Sequence, residues 1–154
     1  MIEREELASL IPHSGLMCLN DNVIEWDNES VLCSTTSHLR INNPLYKNKK
    51  LSALHAIEYC AQAMAIHGGL LARENNKKLS PGYLAAIRNV ELSYTYLDDI
   101  KQSLNIYAKR LMAQGGSLMY EFTMYFIQAK ENTVGEKIKV ATGRATVIQM
   151  AEAG

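Results

Sequence analysis

Residues 53–72 hold a single formally charged side chain, Glu58, in twenty positions. A run of that length and polarity must either cross a bilayer or pack against the core of a folded domain. The same run contains His55, Gln62, His67 and the pair Gly68-Gly69. A carboxylate in mid-membrane is expensive, and no aromatic belt or flanking excess of Lys and Arg supports a span. The segment therefore reads as a helix buried inside a soluble protein, from about residue 53 to residue 73, with Ser52 as its N-cap. At 1.5 Å per residue such a helix is about 30 Å long.

What surrounds this helix follows from the rest of the pattern. The chain has 154 residues, 47% of them hydrophobic, which is one domain's worth of core, spanning 1–154. Its prolines, Pro12, Pro44 and Pro81, stand between periodic segments. Residues 3–10 read as a short helix with Leu7 and Leu10 facing inward, and residues 20–26 and 30–36 as strands around the turn Asp27-Asn28-Glu29. Residues 37–50 lack a period and read as a loop. After the long helix, residues 83–96, 103–113, 117–130 and 137–150 mix β-branched and aromatic residues between turn-like breaks, the last two of them hairpins. The composition predicts an α+β domain, an antiparallel sheet of about six strands wrapped around one apolar helix that it buries on nearly all sides. This is the plan of the hotdog architecture.

Charge and cysteine usage narrow the setting. Sixteen basic and sixteen acidic residues cancel, so no net positive field gathers nucleic acid. Cys18, Cys33 and Cys60 are odd in number and far apart, which predicts reduced core thiols rather than a disulfide frame or zinc site. The acidic start Met1-Ile2-Glu3-Arg4-Glu5-Glu6 lacks the apolar run of a secretion signal, so a cytoplasmic location is expected.

His55, Glu58 and Gln62 fall at i, i+3 and i+7 and share one helix face. A carboxylate among Leu, Ile, Ala and Met is either paired structurally or used for its chemistry, and the residues alone leave both open for Glu58. The N–H groups at the helix start, around Ala53 to His55, can hold an oxyanion or thioester carbonyl. His13 sits in the rigid turn Ile11-Pro12-His13-Ser14-Gly15, His38 in a polar loop that predicts exposure, and His67 near the helix end as a structural residue. No zinc-binding spacing, G-x-S-x-G, P-loop or G-x-G-x-x-G occurs, so no metal and no cofactor is expected.

Ile11-Pro12-His13 followed by Met17-Cys18-Leu19-Asn20-Asp21-Asn22-Val23 resembles the L-P-H…L-L-x-D-x-V opening of 3-hydroxyacyl-[acyl carrier protein] dehydratases. Ile57-Glu58-Tyr59-Cys60-Ala61-Gln62 resembles their [LI]-E-x-x-A-Q helix motif. The longer pattern L-x-A-x-x-x-I-E-Y-x-A-Q-A-M-A-x-H-G, with Gly143-Arg144-Ala145 in the last strand, is similar to the dehydratase-like proteins of aryl polyene pigment clusters. The resemblance covers most of the chain. It implies a hotdog enzyme in which a histidine takes the C2 proton of a 3-hydroxyacyl thioester, while an acidic helix residue helps the 3-hydroxyl leave. Glu58 matches that carboxylate, Ala53 and Leu54 the turn that holds the thioester carbonyl, and Gln62 the glutamine that orients the site. It further implies an acyl carrier protein as partner and a homodimer or heterodimer with another hotdog chain, the active site lying between subunits.

The chain departs from the pattern at one place. General fatty-acid dehydratases carry the catalytic histidine in an H-F-P-G loop before the helix, whereas residues 41–50 here contain none. His13 is the first candidate for the missing base and His55 the second. The basic runs Lys47-x-Lys49-Lys50 and Lys77-Lys78 either steer an acidic carrier or are solvated loop charge. The expected function is dehydration of acyl-carrier-bound 3-hydroxyacyl thioesters. The alternatives are a thioesterase and a catalytically silent hotdog subunit paired with an active one.

Overall fold

Every second side chain of the central strands turns inward, and these residues form one wall of the core. The computed structural model describes residues 1–11, 15–77 and 82–150. Helix α1 (Arg4–Leu10) precedes β1 (Asn22–Trp26) and β2 (Ser30–Thr35). Helix α2 (Ala56–Glu74) follows, opened by a 3-10 turn over Ala53–His55, and then come β3 (Gly82–Leu92), β4 (Leu104–Gln114), β5 (Ser117–Lys130) and β6 (Thr133–Gln149). The six strands form one sheet in the order β1-β2-β4-β5-β6-β3, with every pairing antiparallel. This is the α+β hotdog plan expected from the sequence.

Val31 and Cys33 of β2, Leu104 and Ile106 of β4, and Phe122 and Met124 of β5 are buried against Ala56, Tyr59, Cys60, Ala63 and Ile66 of α2. The three cysteines are free thiols within this core, and burial pushes the Cys33 thiol up to about 12. Small residues on α2 let it lie close to the sheet. Close approach recurs at Gly143, which pairs across the ladder with Phe122. A Cβ at Gly143 would stand 2.6 Å from the Phe122 ring, itself only 2% exposed. Gly143→Ala is therefore expected to lower stability by about 1–3 kcal/mol through overpacking, measured as a fall in urea midpoint at unchanged m-value.

The turns and strand ends have local causes. The β4–β5 turn is a two-residue connection in which Gly115 and Gly116 both take positive φ, 58° and 81°, as a type I′ hairpin requires. Strand β6 begins at Thr133, because the tight turn at Glu131 and Asn132 lets Lys130 pair with Thr133. Strand β3 ends at Leu92 rather than continuing to residue 96, since the backbone beyond it turns to the helix entrance. There Thr95 O accepts from Ala53 N, and Leu97 N donates to Leu51 O.

One detail differs from expectation. The fold encloses most of the long helix but leaves its entrance open: the Glu58 side chain is 47% exposed, and Leu54 of the preceding turn 63%. The sheet covers one flank of α2, and α1 and the turn at residues 15–20 cover part of the next. The half-buried stripe Ala61, Ala65, Gly68 is left beside an open groove. Among the described residues, no helix is long and apolar enough to cross a membrane.

Candidate active site

The motif residues 57–62 divide by helical phase. Glu58 points outward to the groove, while Tyr59 and Gln62 turn inward and hold the two loops that flank the helix entrance. Gln62 Oε1 accepts from Leu19 N (2.8 Å) and Asn20 N (3.0 Å), and its Nε2 donates to Met17 O (2.8 Å). One buried amide thus fixes the turn that leads out of the Pro12-His13 segment. Its neighbour Tyr59 does the same for the loop after β2. Its hydroxyl lies 2.9 Å from Ser37 Oγ and accepts from Asn43 Nδ2 at 3.1 Å, and Asn43 Nδ2 also donates to Ser37 O. The sequence reading passed over Tyr59, Ser37 and Asn43. Tyr59, at i−3 from Gln62, was the available signal, because two hydrogen-bonding side chains on the inward face of a buried helix need partners. Asp21 anchors the same region. Burial opposes its ionisation, but the Thr36 N–H and the Arg40 guanidinium outweigh that and hold the carboxyl below the usual range.

Glu58 and Gln62 both line a cavity of about 940 Å³ between α2, α1 and the ends of β3, β5 and β6. Ile11 and Met17, on either side of the Pro12-His13-Ser14 segment, line it as well. His13 itself lies outside the described residues. His55 Nδ1 is 3.3 Å from Glu58 Oε1 and makes no aligned hydrogen bond among the described residues, so the two form a close polar pair at the helix entrance.

The N–H groups around Ala53 to His55, expected to be free, are engaged, that of His55 with Ser52 O at 3.1 Å. Ala53 N donates to Thr95 O at 2.9 Å, which joins the helix entrance to the loop after β3. Leu54 N meets only the capping hydroxyl of Ser52, at 3.2 Å and on the exposed side. Of the basic runs, Lys47 and Lys50 exchange backbone hydrogen bonds across Asn48 and Lys49, forming a tight hairpin directly before the helix entrance. Lys50 is drawn off by Asp99 at 2.9 Å and Asp98 at 3.5 Å, whereas Lys47 and Lys49 project without an ion pair among the described residues. Lys78 lies outside the described residues.

Two histidines are structural, one against expectation. His38, read from the sequence as exposed, is fully buried, with Nε2 2.9 Å from Ile100 O. The loop around it folds inward because Ser37, Asn43 and the backbone of His38 itself are all hydrogen-bonded to buried or half-buried partners. His67 donates from Nε2 to Asp27 O at 2.8 Å and accepts at Nδ1 from the Tyr120 hydroxyl at 2.7 Å. The tautomer follows because a carbonyl can only accept, and burial, which pushes the Tyr120 phenol up to about 12, keeps that group a donor. Desolvation lowers the pKa of both histidines. Both are then neutral in the fold and take up protons first in the unfolded chain, so stability rises with pH through this window. Unfolding free energy is expected to fall as pH drops below about 6.5, and His67→Gln to flatten that slope. Urea midpoints between pH 8 and pH 5.5 measure both.

The ApeP-like family profile, described as ApeP dehydratase, matches residues 5–153. The chain belongs to the ApeP-like dehydratase family. Its fold is similar to a chain of the dehydratase heterocomplex ApeI:P from Xenorhabdus doucetiae, with TM-score 0.77 and 22% identity over 95% of this chain and 91% of that one. It is also similar to zebra fish thioesterase superfamily member 2 (TM-score 0.61, 14% identity, 96% and 95% covered). A thioesterase family protein from Silicibacter pomeroyi follows at TM-score 0.59 and 12% identity, with 84% and 83% covered. No curated protein matches it in sequence. Membership in the ApeP-like family makes the chain a dehydratase, and the thioesterases share its fold.

Proposed function

We propose that this ApeP-like dehydratase removes water from 3-hydroxyacyl thioesters carried by an acyl carrier protein, in the synthesis of an aryl polyene type of lipid. One observation carries the reading beyond the family assignment. Glu58, paired with His55, stands at the wall of a long apolar cavity whose rim is formed by residues on both sides of His13. A base takes the C2 proton, the C2–C3 double bond forms, and the C3–O bond breaks as the Glu58 carboxyl delivers a proton to the departing hydroxyl. The products are the 2,3-enoyl thioester and water, so the atoms balance without a cofactor or metal. His13 serves as the base and His55 holds the Glu58 carboxyl. Leu54 N–H takes the thioester carbonyl in place of the Ser52 hydroxyl, which stabilises the enolate-like charge. Ala53 supports that turn through its bond to Thr95.

A second hotdog chain covers the exposed flank of α2. The open face around Leu54 and Glu58 supports this, as does the likeness to a chain of a dehydratase heterocomplex. Lys47 and Lys49, on the hairpin before the helix entrance, attract the acidic carrier, and the reaction takes place in the cytoplasm.

Mass spectrometry of a 3-hydroxyacyl-loaded acyl carrier protein incubated with the purified protein tests the proposal. A loss of about 18 mass units, one water by the chemistry above, is the expected result. Release of the whole acyl group instead would make the chain a thioesterase. An unchanged carrier, with activity restored only by a co-purifying hotdog chain, would make it a silent subunit.

A further inference from the structure

Helix α1, the turn at residues 15–20 and the loop after β2 meet at one carboxylate. Asp21 Oδ1 accepts from Arg4 Nη1 at 2.9 Å and from Arg40 Nη2 at 2.7 Å. Its Oδ2 accepts from Thr36 N at 2.9 Å and from Thr35 Oγ1 at 3.1 Å. One cation is enough to pair a carboxylate, so charge alone does not account for two. The two arginines differ in what else they hold. Arg40 makes no other side-chain hydrogen bond among the described residues. Arg4 donates from Nη2 to Gly15 O at 2.8 Å. Gly15 O also accepts from Cys18 N at 3.1 Å, but Cys18 belongs to the same turn and moves with it. Gln62 holds this turn at Met17, Leu19 and Asn20 and makes no bond to Gly15. Among the described residues, Arg4 is therefore the contact that ties the Gly15 carbonyl to the rest of the fold. Gly15 closes the segment 12–14, and Ile11, which opens it, is packed in the core.

Resting on the proposed function, we infer that Arg4, oriented by Asp21, is a positioning residue for the dehydration: it holds Gly15 so that the adjoining His13 segment meets the substrate in step with Glu58. A guanidinium suits this task, because its planar fork grips a carboxylate and a carbonyl at once and keeps its charge. The contact with Gly15 lies on the exposed side, so losing it costs little stability. Its worth is in placement. A shift of about 1 Å in a reacting group can cost about 10²-fold in rate.

The test compares turnover of the 3-hydroxyacyl-loaded carrier by variants of the purified protein, with any chain that co-purifies. Arg4→Gln is expected to lower kcat about 10- to 10²-fold with KM near its wild-type value. Arg4→Lys keeps the charge without the fork and recovers little of that loss. Arg40→Gln is the control. It breaks a pair of similar length and exposure on the same carboxylate but bonds to no part of the turn, so kcat stays near wild type. In a His13→Ala background Arg4→Gln adds almost nothing, because it acts through the same group. A wild-type kcat in Arg4→Gln, equal losses in Arg4→Gln and Arg40→Gln, full recovery in Arg4→Lys, or an undiminished effect of Arg4→Gln without His13 would each overturn the inference. A wild-type rate in His13→Ala would instead overturn the proposed base. If the wild type dehydrates no carrier-bound substrate, the proposed function fails separately. The clamp is then read from hydrogen exchange across residues 15–18, which Arg4→Gln must still speed and Arg40→Gln must not.

Discussion

Glu58→Gln is expected to lower dehydration by about 10²- to 10⁴-fold, the usual worth of a positioned general acid, while leaving the fold intact. The second half of that expectation comes from exposure. The Glu58 side chain is 47% accessible and, among the described residues, its ion-pair partner is His55 at 3.3 Å, so the isosteric amide breaks no aligned hydrogen bond. A surface change of this kind costs within about 0.5 kcal/mol. Single-turnover rates on the 3-hydroxyacyl-loaded carrier, read beside thermal melts, separate the two effects. Retained turnover at wild-type stability would remove Glu58 from the mechanism. If His13 is the base for the same elimination, His13→Ala combined with Glu58→Gln should be scarcely worse than the weaker single variant, because groups acting in one step are not additive.

Much of this architecture was legible in the chain. The mix of β-branched and aromatic residues in the later strands, the near-uncharged run at residues 53–72, and Gly115-Gly116 between two strand patterns are local signals that the tertiary fold did not override. What misled was the reach of one element over another. A sequence shows that α2 is apolar on most sides, but not which stripe of it the sheet leaves open, and so Glu58 reads as buried although it faces a groove. The same limit hid His38. A histidine in a run of polar residues reads as solvated until the hydrogen bonds of Ser37, Asn43 and Ile100 are seen to pull that loop inward. One helix N–H group is taken up for a related reason. The donors were countable from sequence, but Thr95 as acceptor for Ala53 comes from a loop forty-two residues later. Gln62 was the opposite case. The residue type and its place in the motif were visible, and its side chain makes three bonds to residues 17–20.

Those bonds make Gln62→Leu the most damaging single change expected here. Gln62 is 3% exposed, and Leu19 and Asn20, which donate to it, are 1% and 0% exposed. Leucine fills similar space but removes the acceptor for two buried backbone N–H groups and the donor for Met17 O. Each group left without a partner costs about 1–3 kcal/mol, so the three together cost about 3–9 kcal/mol before the turn relaxes. That is a large share of the 5–15 kcal/mol that holds a typical domain together. Relaxation of the 15–20 turn is what would reduce it, since a turn that swings out to water satisfies its own N–H groups. That relaxation would carry Met17 and Leu19 away from the cavity wall they share with Glu58. The two outcomes are therefore linked. A variant that keeps its stability should lose turnover through a displaced rim, and one that keeps its rim should lose stability. Urea unfolding and turnover, measured on the same preparation below the unfolding transition, follow both quantities. A variant unchanged in both would show that Gln62 neither fixes this turn nor orients the site.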